Sequence, residues 1–123
     1  MPRDYLGTVK LRNEYRVYKS DVPKLYIIRG ISPRQTYENN VYHDNVLALY
    51  KALKGKPVTV NDVLDAIEEG SVTGLSLRTY GYKRRYEVQD ILVVLCALGL
   101  ADVEKERRGF VYTIHVGSPP AYN

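Results

Sequence analysis

Apolar residues recur at helical spacing in three stretches of this chain, and alternate in short runs on either side of them. Val46, Leu47, Leu49, Tyr50 and Leu53 form one stripe, which predicts a first helix from about Asp44 that Gly55-Lys56-Pro57 ends. Val58 is placed as a very short strand. Thr59-Val60-Asn61-Asp62 then has the form of a capping box with Asp in place of Glu. Val63, Leu64 and Ile67 continue at helical spacing until Gly70, predicting a second helix. A third runs from about Lys83 to Leu98, with Val88, Ile91, Leu92, Leu95 and Leu98 on its inner face. Its other face shows Tyr82, Tyr86, Gln89, Asp90 and Val93. After Gly99-Leu100 the period changes to two. Ala101 to Lys105 and Phe110 to Val116 read as a hairpin with Arg107-Arg108-Gly109 at its tip.

The first third is β-rich. Leu6 to Leu11 and Tyr15 to Tyr18 flank a turn at Arg12-Asn13, and Leu25 to Ile28 is a third candidate strand. Ser32-Pro33-Arg34-Gln35 has the form of a helix start, which Asn39-Asn40 would cut short. Residues 118–123 read as a flexible tail. The segment from Ser71 to Tyr82 is long for a turn between two helices, with Leu75 and Leu77 as its candidate anchors.

The order helix, short strand, capped helix, helix, Gly-Leu step and basic-tipped hairpin resembles the winged helix-turn-helix DNA-binding superfamily. The resemblance covers roughly Asp44 to Val116. It implies an α+β fold of three helices plus a C-terminal β-hairpin wing at residues 41–117. Residues 1–40 are then a β-rich extension and a possible dimerisation element. The long segment before the third helix departs from the family pattern, in which that turn has three or four residues.

Charge sharpens this picture. The chain carries 18 basic and 14 acidic residues, a net charge of +4, which leans toward polyanionic partners. Between Ser71 and Tyr86 stand Arg78, Lys83, Arg84 and Arg85 with no acid among them. The resemblance implies that the third helix lies in the major groove of duplex DNA while the wing touches flanking backbone. Arg78, Lys83, Arg84, Arg85, Arg107 and Arg108 are the candidate phosphate contacts, and Tyr82 and Tyr86 are candidates for phosphate or base contact. Gln89 is the candidate base reader, since its amide suits adenine. Asp90, on the same face, opposes DNA.

Other functions find less support. His43 and His115 are far apart in sequence, and the acids of the second helix form a charged outer face rather than a metal cluster. There is no phosphate-binding glycine loop and no nucleophile elbow. No enzyme activity, cofactor, metal or small-molecule ligand is therefore expected. The single cysteine, Cys96, reads as core. No signal peptide or membrane span is evident, so the expected location is cytoplasmic. Val93 and Ala97 make the outer side of the third helix apolar where a winged helix shows polar residues. Something must cover them, either the chain's own N-terminal strands or those of a second copy, and a homodimer is the expected assembly. The expected function is a small DNA-binding transcription regulator. The alternative is a winged-helix protein-contact module in a transcription or replication assembly.

Overall fold

A computed structural model describes residues 4–122. Residues 1–3 and 123, the outermost positions of the expected extension and tail, lie outside the described residues. The chain runs β1 (Asp4–Lys10), β2 (Glu14–Lys19), β3 (Leu25–Ile31), β4 (Thr36–Tyr42), α1 (His43–Leu53), β5 (Pro57–Val58), α2 (Val60–Glu68), α3 (Lys83–Ala97), β6 (Ala101–Glu106) and β7 (Gly109–Ile114). The fold is α+β, with two antiparallel sheets. The first has strand order β1-β2-β3-β4, and the second has order β5-β7-β6.

The first sheet is a meander with one apolar face. Val9, Tyr15, Val17, Tyr26, Ile28 and Val41 occupy alternating positions and are buried, as the two-residue period of a strand requires. That face packs on α3. Gly7 lets β1 come close: a Cβ added there would lie 3.4 Å from the Ala97 carbonyl oxygen. The other side of α3 meets α1, α2 and β6. Between two such walls, Val88 and every residue from Asp90 to Leu95 is buried.

This arrangement corrects several expectations. Asp90 and Val93 are not on an outer face: Val93 is fully buried and Asp90 is 7% exposed. The cover over this side of α3 comes from the chain's own strands, one of the two sources expected. The division expected at residue 40 falls inside β4, and the meander shares one apolar core with the helices. The helix expected after Ser32 is absent. Ser32 to Gln35 is instead a turn, where the Ser32 hydroxyl donates to the Gln35 carbonyl at 3.0 Å and accepts from the Gln35 amide at 3.2 Å. β4 then pairs with β3 from Thr36 through Tyr42, straight across Asn39-Asn40.

The C-terminal residues expected to be loose are held by Tyr122. Its ring packs edge-on against Tyr26 and His43, and its hydroxyl lies 2.9 to 3.1 Å from the carbonyls of Ser20, Val22 and Leu25.

The helical half matches its sequence pattern closely. Thr59 and Asp62 form the capping box, with bonds of 2.9 and 3.1 Å. Gly99 takes φ +77°, the left-handed conformation that glycine adopts without strain, and lets the Leu100 amide reach the Leu95 carbonyl at 2.9 Å. β5 joins the hairpin through the pairs Pro57–Thr113 and Val58–Tyr112.

The long segment between α2 and α3 is tied at both ends. Val72 is buried. The Asn45 amide pairs with both backbone groups of Ser76, at 2.9 Å each. The Glu87 carboxylate accepts from the Arg78 and Thr79 amides at 2.9 to 3.0 Å and from the Thr79 hydroxyl at 2.5 Å. Asn45 is 4% exposed, so Asn45→Ala strands a backbone donor and acceptor at once. Urea unfolding should show a loss of about 1–3 kcal/mol. A loss below about 0.5 kcal/mol, the range of neutral surface changes, would show that this segment is held elsewhere.

Candidate functional site

α3 begins without a side-chain cap and with no acid in its first turn. Its N-terminal end is the most open part of the helix. Tyr80, Tyr82 and Tyr86 are 87%, 71% and 61% exposed, and the Tyr82 and Tyr86 rings meet edge to face at 6.4 Å. Lys83 is exposed beside them. Phenols left this wet forgo apolar burial, and cations here face the positive end of the helix dipole. Both are costs that an anionic, flat-faced ligand would offset.

The structure separates the sequence-predicted residues into groups. Arg84 turns toward α2 and lies 3.8 Å from Glu68. Arg78 turns back to β4, donating to the Asn40 carbonyl at 3.0 Å, with its guanidinium 4.8 Å from the Tyr42 ring centre. Arg85 donates to the Asn61 side chain at the start of α2. Arg107 and Arg108 sit in the two-residue tip of the β6–β7 hairpin, both exposed. Gln89 does not stand out toward solvent. It is half-buried and donates to the Tyr15 hydroxyl at 3.1 Å.

Arg85, Tyr86, Gln89 and Arg108 do come together, as walls of a cleft of about 600 Å³. The tip of the β1–β2 hairpin forms one side with Arg12 and Asn13. The start of α2 contributes Asn61, and the β6–β7 hairpin contributes Phe110. Tyr15 and Tyr37 line it from the meander. Burial and a hydrogen bond with Tyr15 push the Tyr37 phenol well above its ordinary value, so it stays neutral. Glu106 is the one carboxylate among the lining residues, against Arg12, Arg85 and Arg108. Among the described residues, no carboxylate pairs with Arg12, Lys83, Arg107 or Arg108.

Arg12, Asn13, Tyr15, Tyr37, Asn61 and Phe110 were not expected at a site. The sequence predicts a turn at Arg12-Asn13, but no local pattern indicates that this turn shares a cleft with the β6–β7 hairpin. Asp90 lies beneath the cleft region, where β4 crosses α3. Burial pushes its carboxyl up to about 7, against the pull of a 3.2 Å hydrogen bond from Asn39 and with help from the charge of Glu87. Burial also lowers the pKa of His43, which shares a 2.9 Å hydrogen bond with the Tyr26 hydroxyl. Burial raises Cys96 to about 12, so its thiol is not a nucleophile at neutral pH. Among the described residues no group of His, Cys, Asp or Glu is placed to hold a metal ion, and no helix is long and apolar enough to cross a membrane.

Comparison with protein families, with curated proteins and with solved structures finds no match to this chain.

Proposed function

We propose that this protein is a winged-helix DNA-binding protein that grips duplex DNA mainly by its phosphates, and that it acts as a small transcription regulator. The observation that carries this reading is a set of cations at and near the cleft that have no carboxylate partner among the described residues. Arg12 and Arg108 line the cleft, Arg107 adjoins Arg108, and Lys83 stands between the exposed phenols Tyr82 and Tyr86 in the first turn of α3. Phosphate oxygens match cations and phenol hydroxyls of this kind. Asp90, the acid expected to repel DNA, is buried under β4. That weakens the case for a protein-contact module.

The mode differs from full insertion of α3 into a groove. From Val88 to Leu95 every residue of α3 but half-buried Gln89 is buried, so at its N-terminal end a ligand can reach α3 only as far as Gln89. Contacts from there and from the wing position the duplex and read little of its sequence. If about four cations meet phosphates, log K should fall against log salt with a slope of roughly −3 to −4. Fluorescence anisotropy with a labelled duplex at several salt concentrations measures this. Replacing Arg107 and Arg108 by Ala should flatten the slope by about two, whatever the DNA sequence. No binding at low salt would overturn the reading.

A further inference from the structure

We propose that the cleft between the β1–β2 tip, α3 and the wing receives one unpaired base of a nucleic-acid strand, with the adjoining phosphates held by Arg12 and Arg108. The proposal rests on the nucleic-acid reading above and specifies what that site takes in.

Size is the first argument. A cleft of about 600 Å³ lies within the usual range for pockets that enclose a small organic group, roughly 300 to 1,000 Å³. An intact duplex is too broad to enter it, whereas a base swung out of a strand or standing at an unpaired end is not.

The lining is the second argument. Tyr86 on α3 brings an aromatic ring to the cleft, and Phe110 on the β6–β7 hairpin brings a second, over which the Lys105 ammonium stands 5.2 Å from the ring centre. Tyr86 is 61% exposed, and its ring stands at right angles to that of Tyr82. Stacking on such rings tolerates any base, because every base has a π-face. The amides of Asn13, Asn61 and Gln89 bring donors and acceptors to the same space, as the edge of an unpaired base requires. The Tyr37 phenol stays neutral and so does not repel an anion.

Charge is the third argument. Arg12 on the β1–β2 tip and Arg108 on the β6–β7 tip both line the cleft, and neither has a carboxylate partner among the described residues. A single strand passing between the two tips would lay its backbone along both. Arg85 already holds Asn61, so a phosphate drawn to Arg85 would also set the orientation of that amide.

The test compares four labelled or competing ligands by anisotropy at low salt: a blunt duplex, the same duplex with a short single-stranded overhang, the single strand, and a mononucleotide. The overhang duplex and the single strand should bind about tenfold or more tighter than the blunt duplex. With 2-aminopurine in the overhang, binding should quench its fluorescence. Tyr86→Ala, at a site exposed enough to leave folding intact, should abolish the quench and bring overhang and blunt affinities within about twofold of each other. Equal affinities for blunt and overhang duplexes, with no quench, would overturn base capture while leaving duplex binding standing. A mononucleotide that binds as tightly as the strand would assign the cleft to a free nucleotide instead. Absence of binding by all four would remove the nucleic-acid reading and this inference together.

Discussion

Raising the pH should weaken the folded protein steadily from about pH 4 to about pH 7, and Asp90 is the group responsible. Its carboxyl is buried where β4 crosses α3, and burial raises its pKa from 3.8 to about 7. Among the described residues only Asn39 donates to it, at 3.2 Å. The other titratable groups near it, Glu87 on its own helix, Tyr37 on β4 and Tyr112 on β7, offer it no positive charge. Below the unfolded pKa both states are protonated, and stability is at its full value. Above it the unfolded chain loses the proton while the folded one keeps it, so stability falls until the folded pKa is passed. Above about pH 7 the loss levels off, at an upper bound of about 4 kcal/mol for a shift of this size. Asp90→Asn keeps the shape of the protonated side chain and cannot ionise. Urea unfolding at a series of pH values should show the fall as the difference between wild type and variant, which opens from about pH 4 and leaves the variant the more stable at about pH 8. Two superimposable pH profiles would mean that Asp90 is solvated in the folded state.

Gly30→Ala should destabilise the meander by forcing the Tyr37 ring to move. Gly30 pairs directly with Tyr37 across β3 and β4, and the Tyr37 ring lies over it. A Cβ at residue 30 would sit 2.5 Å from Tyr37 Cζ, 2.7 Å from its hydroxyl and 2.8 Å from Cε1. The ring must swing away, which also takes its hydroxyl from Tyr15. Overpacking of this kind costs about 1–3 kcal/mol. Tyr37 also lines the cleft, so ligand affinity should fall with stability. The double variant Gly30→Ala with Tyr37→Ala removes the clash. In a double-mutant cycle its cost should therefore be clearly smaller than the sum of the two single costs, by at least about 0.5 kcal/mol. Additive costs would show that the contact between the two residues is not what matters.

Much of the chain could be read residue by residue, because its signals are local. The Thr59 capping box, the Gly99-Leu100 stop and the alternation of Phe110, Tyr112 and Ile114 each settle a piece of backbone within a few residues. β4 could not be read this way. Ser32 forms the same side-chain bond in a turn that it forms at a helix start, and only pairing with β3 decides between them. Asn39 and Asn40 are poor strand formers in isolation, yet Asn39 stands where it answers Asp90. The outer face of α3 was misread for a related reason. Gln89 and Asp90 are polar, which suggests solvent, but their partners Tyr15 and Asn39 come from 74 and 51 residues away. The cleft inherits this difficulty. Its α3 and wing residues stood out as cations, whereas Arg12 and Tyr37 joined them only once the meander was docked. Tyr122, three carbonyls within reach of one hydroxyl, carries no local signal at all.

The enclosure of α3 also limits how a lineage of such proteins could diversify. A helix that reads DNA along its length can change targets by exchanging the side chains it presents. Here, seven of the eight positions from Val88 to Leu95 are buried and fixed by packing on two sides, so substitutions there are screened for fit to the core before anything else. On the proposed reading, the positions free to drift toward a new ligand are the first turn and a half of α3, the Arg12-Asn13 tip and the Arg107-Arg108 tip. Two of these three are hairpin turns, which accept insertions and replacements at little cost to the rest of the fold. New binding preferences would then arise by remodelling loop tips around an unchanged central helix.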